Sequence, residues 1–372
     1  GANFMIIAAA LAGGGGSAVG YNGTPKIDAA KLAAHSGATQ AGTLSGSFPA
    51  AMANTGIANG TLFKYSEVGY FRFAADGVYD DTFTAVDSAA GDCTSDFSNA
   101  LVGGKYGCKF SNIATTNYFG RFIPDHFALA PGADTPACGG FSYFDQDGFS
   151  TAFTLTAQNS GNTTTRNYTG AWAKLGLSTW NGYAFSSAGL PAGATLAASA
   201  TAPTGSWSAG SASVVARHQI SRPSALAGQT LATVKALPVD SDGVTLVAAT
   251  AAAVSGTPAL LRYGRLRLFN KFGSEKSALG IPVQAQYWSG SSWVINDGDS
   301  CTTLPANAFA LSGSLAANTS ASAVTLAAGN GTLTLAAPSP LATGYVDVAA
   351  NLGNSGVDQS CLASHGGTAA SR

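Results

Sequence analysis

With 372 residues the chain has room for two or three domains of roughly 100–200 residues each, and for cores that need no staples. Only 10% of the residues are charged, against about 25% in an average globular chain, and the net charge is −1. This balance excludes steering of nucleic acid or anionic lipid by the whole molecule, and Gly, Ser, Thr and Asn interrupt every apolar run before it reaches the length of a membrane span.

The first apolar run, Phe4 to Leu11, is closed by Gly13–Gly16 and lacks a basic flank, so it does not read as an intact signal peptide. A chain that starts at Gly1 is expected to be a processed form whose export signal has been removed. Asp28 to His35 has the composition of a two-turn helix ending before Gly37. From there on the period is two. Val68–Phe73 alternates around Tyr70, and Phe153–Ala157 alternates apolar and hydroxyl residues. Ala321–Leu335 repeats the pattern in short pieces between turns such as Gly161-Asn162 and Gly329-Asn330-Gly331. Short strands with that punctuation predict an all-β chain of two or three packed β-sandwich, Ig-like domains. The divisions expected are 1–125, 126–258 and 259–372.

Charge is absent from Leu175 to Ala216, and between Thr302 and Ser360 it is confined to Asp347 and Asp358. The β-branched and aromatic content of these stretches argues against disorder. Weak repulsion there would let copies pack side by side in a filament or layer.

Five cysteines show no zinc spacing. Cys93 and Cys108 bracket a short polar loop, Cys301 and Cys361 bracket the charge-poor end, and these two disulfides are the expectation, leaving Cys138 over. They imply an oxidising compartment.

Candidate chemistry is sparse. Gly298-Asp299-Ser300 looks like the start of a serine-nucleophile loop, but Cys301 stands where glycine is required. His126 follows Pro124-Asp125 and reads either as a base oriented by a carboxylate or as a strand-edge histidine bonded to its surroundings. Glu67 and Glu275 are the only glutamates, so nothing promotes a glycosidase pair. Three Asp/Gly runs look like half of a calcium loop: Asp145/Asp147, Asp240/Asp242 and Asn296–Asp299. None is followed by a bidentate acid, and ordinary turns are the first reading, so no cofactor is expected, with calcium the alternative.

The sharpest local feature is Arg262–Lys271. On a strand, Arg265 and Arg267 share a face with Tyr263 and Phe269, while Leu266 and Leu268 point to a core. Nearby, Tyr287, Trp288 and Trp293 flank a Ser/Gly hairpin tip and would meet across it. The five residues Arg265, Arg267, Tyr287, Trp288 and Trp293 are the candidate ligand-binding set, for an acidic polymer or a surface glycan. Salt bridging or an interface for the arginines, and core packing for the rings, are the plainer alternatives.

Two segments resemble the C-terminal region of the MSHA biogenesis protein MshQ and its relatives, a Gram-negative family linked to mannose-sensitive haemagglutinin type IV pili. One runs from Gly120-Arg-Phe-Ile-Pro-Asp-His-Phe-Ala-Leu129 through Cys138–Tyr143 and Thr154–Asn159 to Asn167-Tyr168 and Ala173–Leu175. The other comprises Arg262–Leu268, Gly273–Glu275, Pro282-Val283, Gln286–Trp288 and Asp299–Thr302, with Phe63–Phe73 similar to the part upstream. The lectin-like domain that can precede this region and the polar, aromatic stretch that usually ends it are not found, as expected of a trimmed fragment or a distinct variant. The resemblance implies export, a β-rich fold, an extracellular or cell-surface address, and pilus components or copies of the chain itself as partners. It carries over no catalytic residue. The expected function is structural or adhesive and non-enzymatic. The alternatives are a filament subunit and a carbohydrate-binding or carbohydrate-active protein.

Overall fold

A computed structural model describes residues 2–82, 89–97 and 100–352 of the chain. The described residues form small, mostly antiparallel sheets around three apolar clusters, with short 3-10 turns between strands. The fold is all-β.

The first cluster is aromatic. Strands Phe4–Ala9 and Leu44–Ser45 flank Ile57–Tyr65, and strands Leu32–Ala34 and Phe119–Phe122 flank Gly69–Phe73. Alternation places Phe63, Tyr65, Phe71 and Phe73 inside, while Lys64, Tyr70 and Arg72 point away. Phe71 stacks on Phe119 at 5.2 Å and on Phe122 at 5.7 Å.

The helix expected over Asp28–His35 is not formed. Asp28 does act as a cap, its Oδ1 accepting from the Ala30 N–H at 2.9 Å, but the turn it starts is a 3-10 turn of three residues, Ala29–Lys31. Leu32–Ala34 then extends and pairs with Phe71–Phe73. Two helical turns are marginal on their own. The strand ladder offers the same backbone groups long-range partners, together with a place for Leu32 against the core.

The second cluster fills a sandwich. One sheet runs in the order His126–Thr135, Phe149–Gln158, Ser211–Ile220, Leu196–Ala198. The facing sheet runs Ser142–Tyr143, Ala259–Arg262, Thr230–Ala236, Ser186–Ala188. The central strand Phe149–Gln158 alternates without a fault, burying Phe149, Thr151, Phe153, Leu155 and Ala157. Part of the uncharged stretch is spent here, since Leu175, Leu177, Tyr183, Ala212, Val214 and Ala216 are buried in this core.

His218 lies inside the same core, fully buried, with Nε2 2.8 Å from Thr151 Oγ1 and the Trp180, Phe185 and Phe149 rings around it. Burial lowers its pKa from 6.5 to about 3. Since the folded value lies below the unfolded one, the unfolded chain takes the proton first. The neutral ring's contribution is whole above pH 6.5 and is lost as the pH falls toward 3. The expected slope is up to about 1.4 kcal/mol per pH unit. Urea unfolding between pH 6.5 and 5 should show this loss in the wild type, whereas His218→Phe, which suits the aromatic cage, should be nearly flat across that interval; an unchanged slope would place the effect elsewhere.

The third cluster lies between the sheet of Gly264–Leu268, Leu279–Trp288, Trp293–Ile295 and Asn330–Leu335 and the strand pairs Thr303–Leu304/Val324–Thr325 and Phe309–Ser312/Asp347–Ala350. Leu266 and Leu268 face it, as the alternation requires. The strand expected across Arg262–Lys271 breaks at Tyr263. Ala259–Arg262 belongs to the second sandwich, Gly264–Leu268 to the third, and Tyr263 is buried in the second core.

Candidate functional site at two interdomain junctions

The parallel pairing of Ser142-Tyr143 with Leu261-Arg262 sets the geometry of the junction between the second and third clusters. It brings the Arg262 guanidinium 4.4 Å from the centre of the Phe141 ring and 4.5 Å from that of Tyr287, with Nη1 donating to Asn296 Oδ1. Asn296 and Asp299 are fully buried. Asn296 Nδ2 donates to the Tyr143 hydroxyl, which donates to Asp299 Oδ2 at 2.9 Å. Asp299 also accepts from the Cys301 and Thr302 N–H groups at 3.2 and 3.0 Å and from Thr302 Oγ1 at 2.8 Å. Burial and the neighbouring Asp299 charge push the Tyr143 phenol well above its ordinary range, so it stays a protonated donor.

Beside this network Cys138 is joined to Cys301, with Cα atoms 5.5 Å apart. The expected Cys301–Cys361 pair is therefore corrected. Spacing along the chain suggested a bracket around the charge-poor end, but the parallel strand pairing delivers Cys138 from 163 residues away. Cys361 lies outside the described residues. Cys93 and Cys108 are joined as expected, with Cα atoms 5.0 Å apart. Cys138, Asp299 and Cys301 bring metal-ligand atoms together, and the disulfide engages both sulfurs.

A second tier surrounds the hairpin. Trp288 pairs with Trp293 across the turn, ring centres 5.6 Å apart, and both pack on the second core. Arg265 lies 4.1 Å over the Trp293 ring and donates to Gln286 Oε1 at 2.9 and 2.7 Å. Arg222 lies 4.0 Å over Tyr263 and donates to the Gly264 carbonyl. Of the five candidate ligand residues, the structure thus gathers Arg265, Trp288 and Trp293. Tyr287 points to the other face of its strand, under Arg262 and bonded to Gln229, and Arg267 stands exposed beside Phe269. The rings and Arg265 are occupied with one another at the interface.

The junction between the first and second clusters turns on Glu67, 3% exposed, and Asn167, 1% exposed. Glu67 accepts from the N–H groups of Arg166 and Asn167 at 3.0 Å each and from Gln40 Nε2 at 2.5 Å. Asn167 Oδ1 accepts from the Thr39 and Gln40 N–H groups at 2.8 and 3.0 Å, and its Nδ2 donates to the Gln40 carbonyl. Trp172 packs on His35 at 4.2 Å and on Tyr70 at 5.3 Å, and Arg121 pairs with Asp242. Residue-level reading missed this site. The signal available was one of only two glutamates set directly before an apolar strand.

The half-calcium loops serve as turns. Asp240 Oδ1 accepts from the Asp242 and Val244 N–H groups at 2.9 Å and its Oδ2 from the Tyr168 hydroxyl at 2.8 Å. Asp145 accepts from the Arg222 N–H and Asp147 from that of Gly148. His126 has its two ring nitrogens against Asp125 Oδ2 at 2.9 Å and Gln158 Oε1 at 3.0 Å, so neither faces a nucleophile.

What these groups do chemically is hold two surfaces together. Fold and junctions define a multidomain all-β protein whose sandwiches are locked by buried polar networks and a disulfide. The chain belongs to the DUF6701 family: residues 67–260 match the family's third domain and residues 262–365 its fourth. The border between the matches falls within strand Ala259–Arg262, beside the break at Tyr263 where the two cores part. No curated protein matches the chain. Among the described residues, no helix is long and apolar enough to cross a membrane.

Proposed function

We propose that the chain is an extracellular structural and adhesive protein of a Gram-negative cell surface, associated with type IV pili as its resemblance to MshQ implies, and that it works without catalysis by presenting β-domains in fixed relation. The Cys138–Cys301 disulfide carries this reading, because it fastens one sandwich to the next across a buried network. Such bonds persist in oxidising compartments. The residues that carry the resemblance, among them Tyr143, Arg262, Gln286 and Asp299, cluster at the junction as packing and hydrogen-bonding groups. That use suits a spacer or adhesive scaffold better than an active site. Shearing cells and probing the released material tests the idea. Oxidised protein that co-purifies with pili is the expected result; protein retained in the cytoplasm with Cys138 and Cys301 open to alkylation would overturn it.

A further inference from the structure

The third cluster ends in a groove of about 590 Å³ that neither junction uses. Strands Gly264–Leu268 and Leu279–Trp288 meet the junction at Gly264 and Trp288, and reach the groove at Leu268 and Leu279, the opposite end of their sheet. Its floor is core material, Leu279, Ile281 and Val346. On its rim stands Phe272, 94% exposed, the most exposed of the large apolar side chains described. Lys271 adjoins Phe272, and Glu275 and Asp347 complete the charged part of the rim.

We infer that this end of the molecule joins two copies of the chain about a two-fold axis, with Phe272 of each copy seated in the groove of the other. An isologous contact uses one patch twice, so that patch must carry its own complement. Here it holds both a projecting ring and a recess with a polar rim and an apolar floor. It also holds both signs of charge, and a two-fold axis that seats Phe272 brings Lys271 toward the acids of the facing copy. A small ligand would fill the recess and leave Phe272 in water, whereas a second copy buries both. A net charge of −1 leaves little repulsion to oppose the association.

Sedimentation velocity on the 372-residue chain over a wide range of concentration tests this. A monomer–dimer equilibrium is expected. Phe272→Ala should raise its Kd by roughly 30-fold or more, as for a central aromatic anchor. An unchanged circular dichroism spectrum would confirm that the variant folds, as the exposure of the ring requires. Lys271→Glu should weaken the dimer, and Lys271→Glu with Glu275→Lys should restore it. A wild type that stays monomeric throughout, or an association that Phe272→Ala leaves as strong, would overturn the proposal.

Discussion

Glu67→Ala is expected to destabilise the protein by about 3–5 kcal/mol, the largest effect of any single surface-distant substitution at the first junction. The carboxylate is 3% exposed and accepts from two main-chain N–H groups of the second sandwich and from Gln40 of the first. Removing it leaves the Arg166 and Asn167 amides buried without acceptors, at about 1–3 kcal/mol each, and forfeits bonds to a charge that are each stronger than a neutral one. Glu67→Gln keeps one acceptor oxygen but aims an amide N–H₂ at a backbone donor, so it should fall between wild type and alanine. Thermal unfolding followed by circular dichroism checks the order. At about 2–4 °C per kcal/mol for a unit of this size, the alanine variant should melt roughly 6–20 °C lower. A shift within about 1 °C would mean that water or a relaxed turn replaces the carboxylate.

Replacing Cys138 and Cys301 together by alanine is the second large effect. The bond closes a loop of 163 residues, for which the chain-entropy model gives about 5 kcal/mol, while measured disulfides typically contribute about 2–4. The double variant avoids a stray thiol and leaves the Asp299 network in place. Its denaturant midpoint should fall accordingly, and wild type under reductant, which opens Cys93–Cys108 as well, should fall at least as far. Mass spectrometry of unreduced peptides should recover the Cys138–Cys301 link directly; recovery of Cys301 joined to Cys361 would refute the described pairing.

These two sites mark where reading residues ceases to suffice. The alternation of Val68–Phe73 and Phe153–Ala157, the Trp288/Trp293 hairpin and the Cys93–Cys108 loop are legible because each is decided within about fifteen residues, by side-chain period or turn length. Leu32–Ala34 has the local composition of a helix, and its strand partner lies at Phe71–Phe73, beyond any local window. The partner of Cys301 is hidden from a local window for the same reason, since the Tyr143–Arg262 register brings Cys138 to it. Arg265 and Trp293 read as members of a ligand-binding set, with an interface or core packing as the plainer alternative, and in the fold the guanidinium lies over the ring where the third sandwich meets the second. Polar residues in a charge-poor chain stand out equally whether they face a ligand or a neighbouring domain. Composition cannot separate those two uses.

The break at Tyr263 leaves no spare chain between the second and third sandwiches. Consecutive strands on either side of that one residue belong to different cores, and the residue itself is buried in one of them. Family boundaries drawn at 260 and 262 are thus boundaries of sequence, not of cooperativity. Cutting there would strip Tyr263 and the Trp288/Trp293 hairpin from the second core and expose apolar surface on both halves. The pair should melt in a single transition and be inherited, expressed and crystallised as one body.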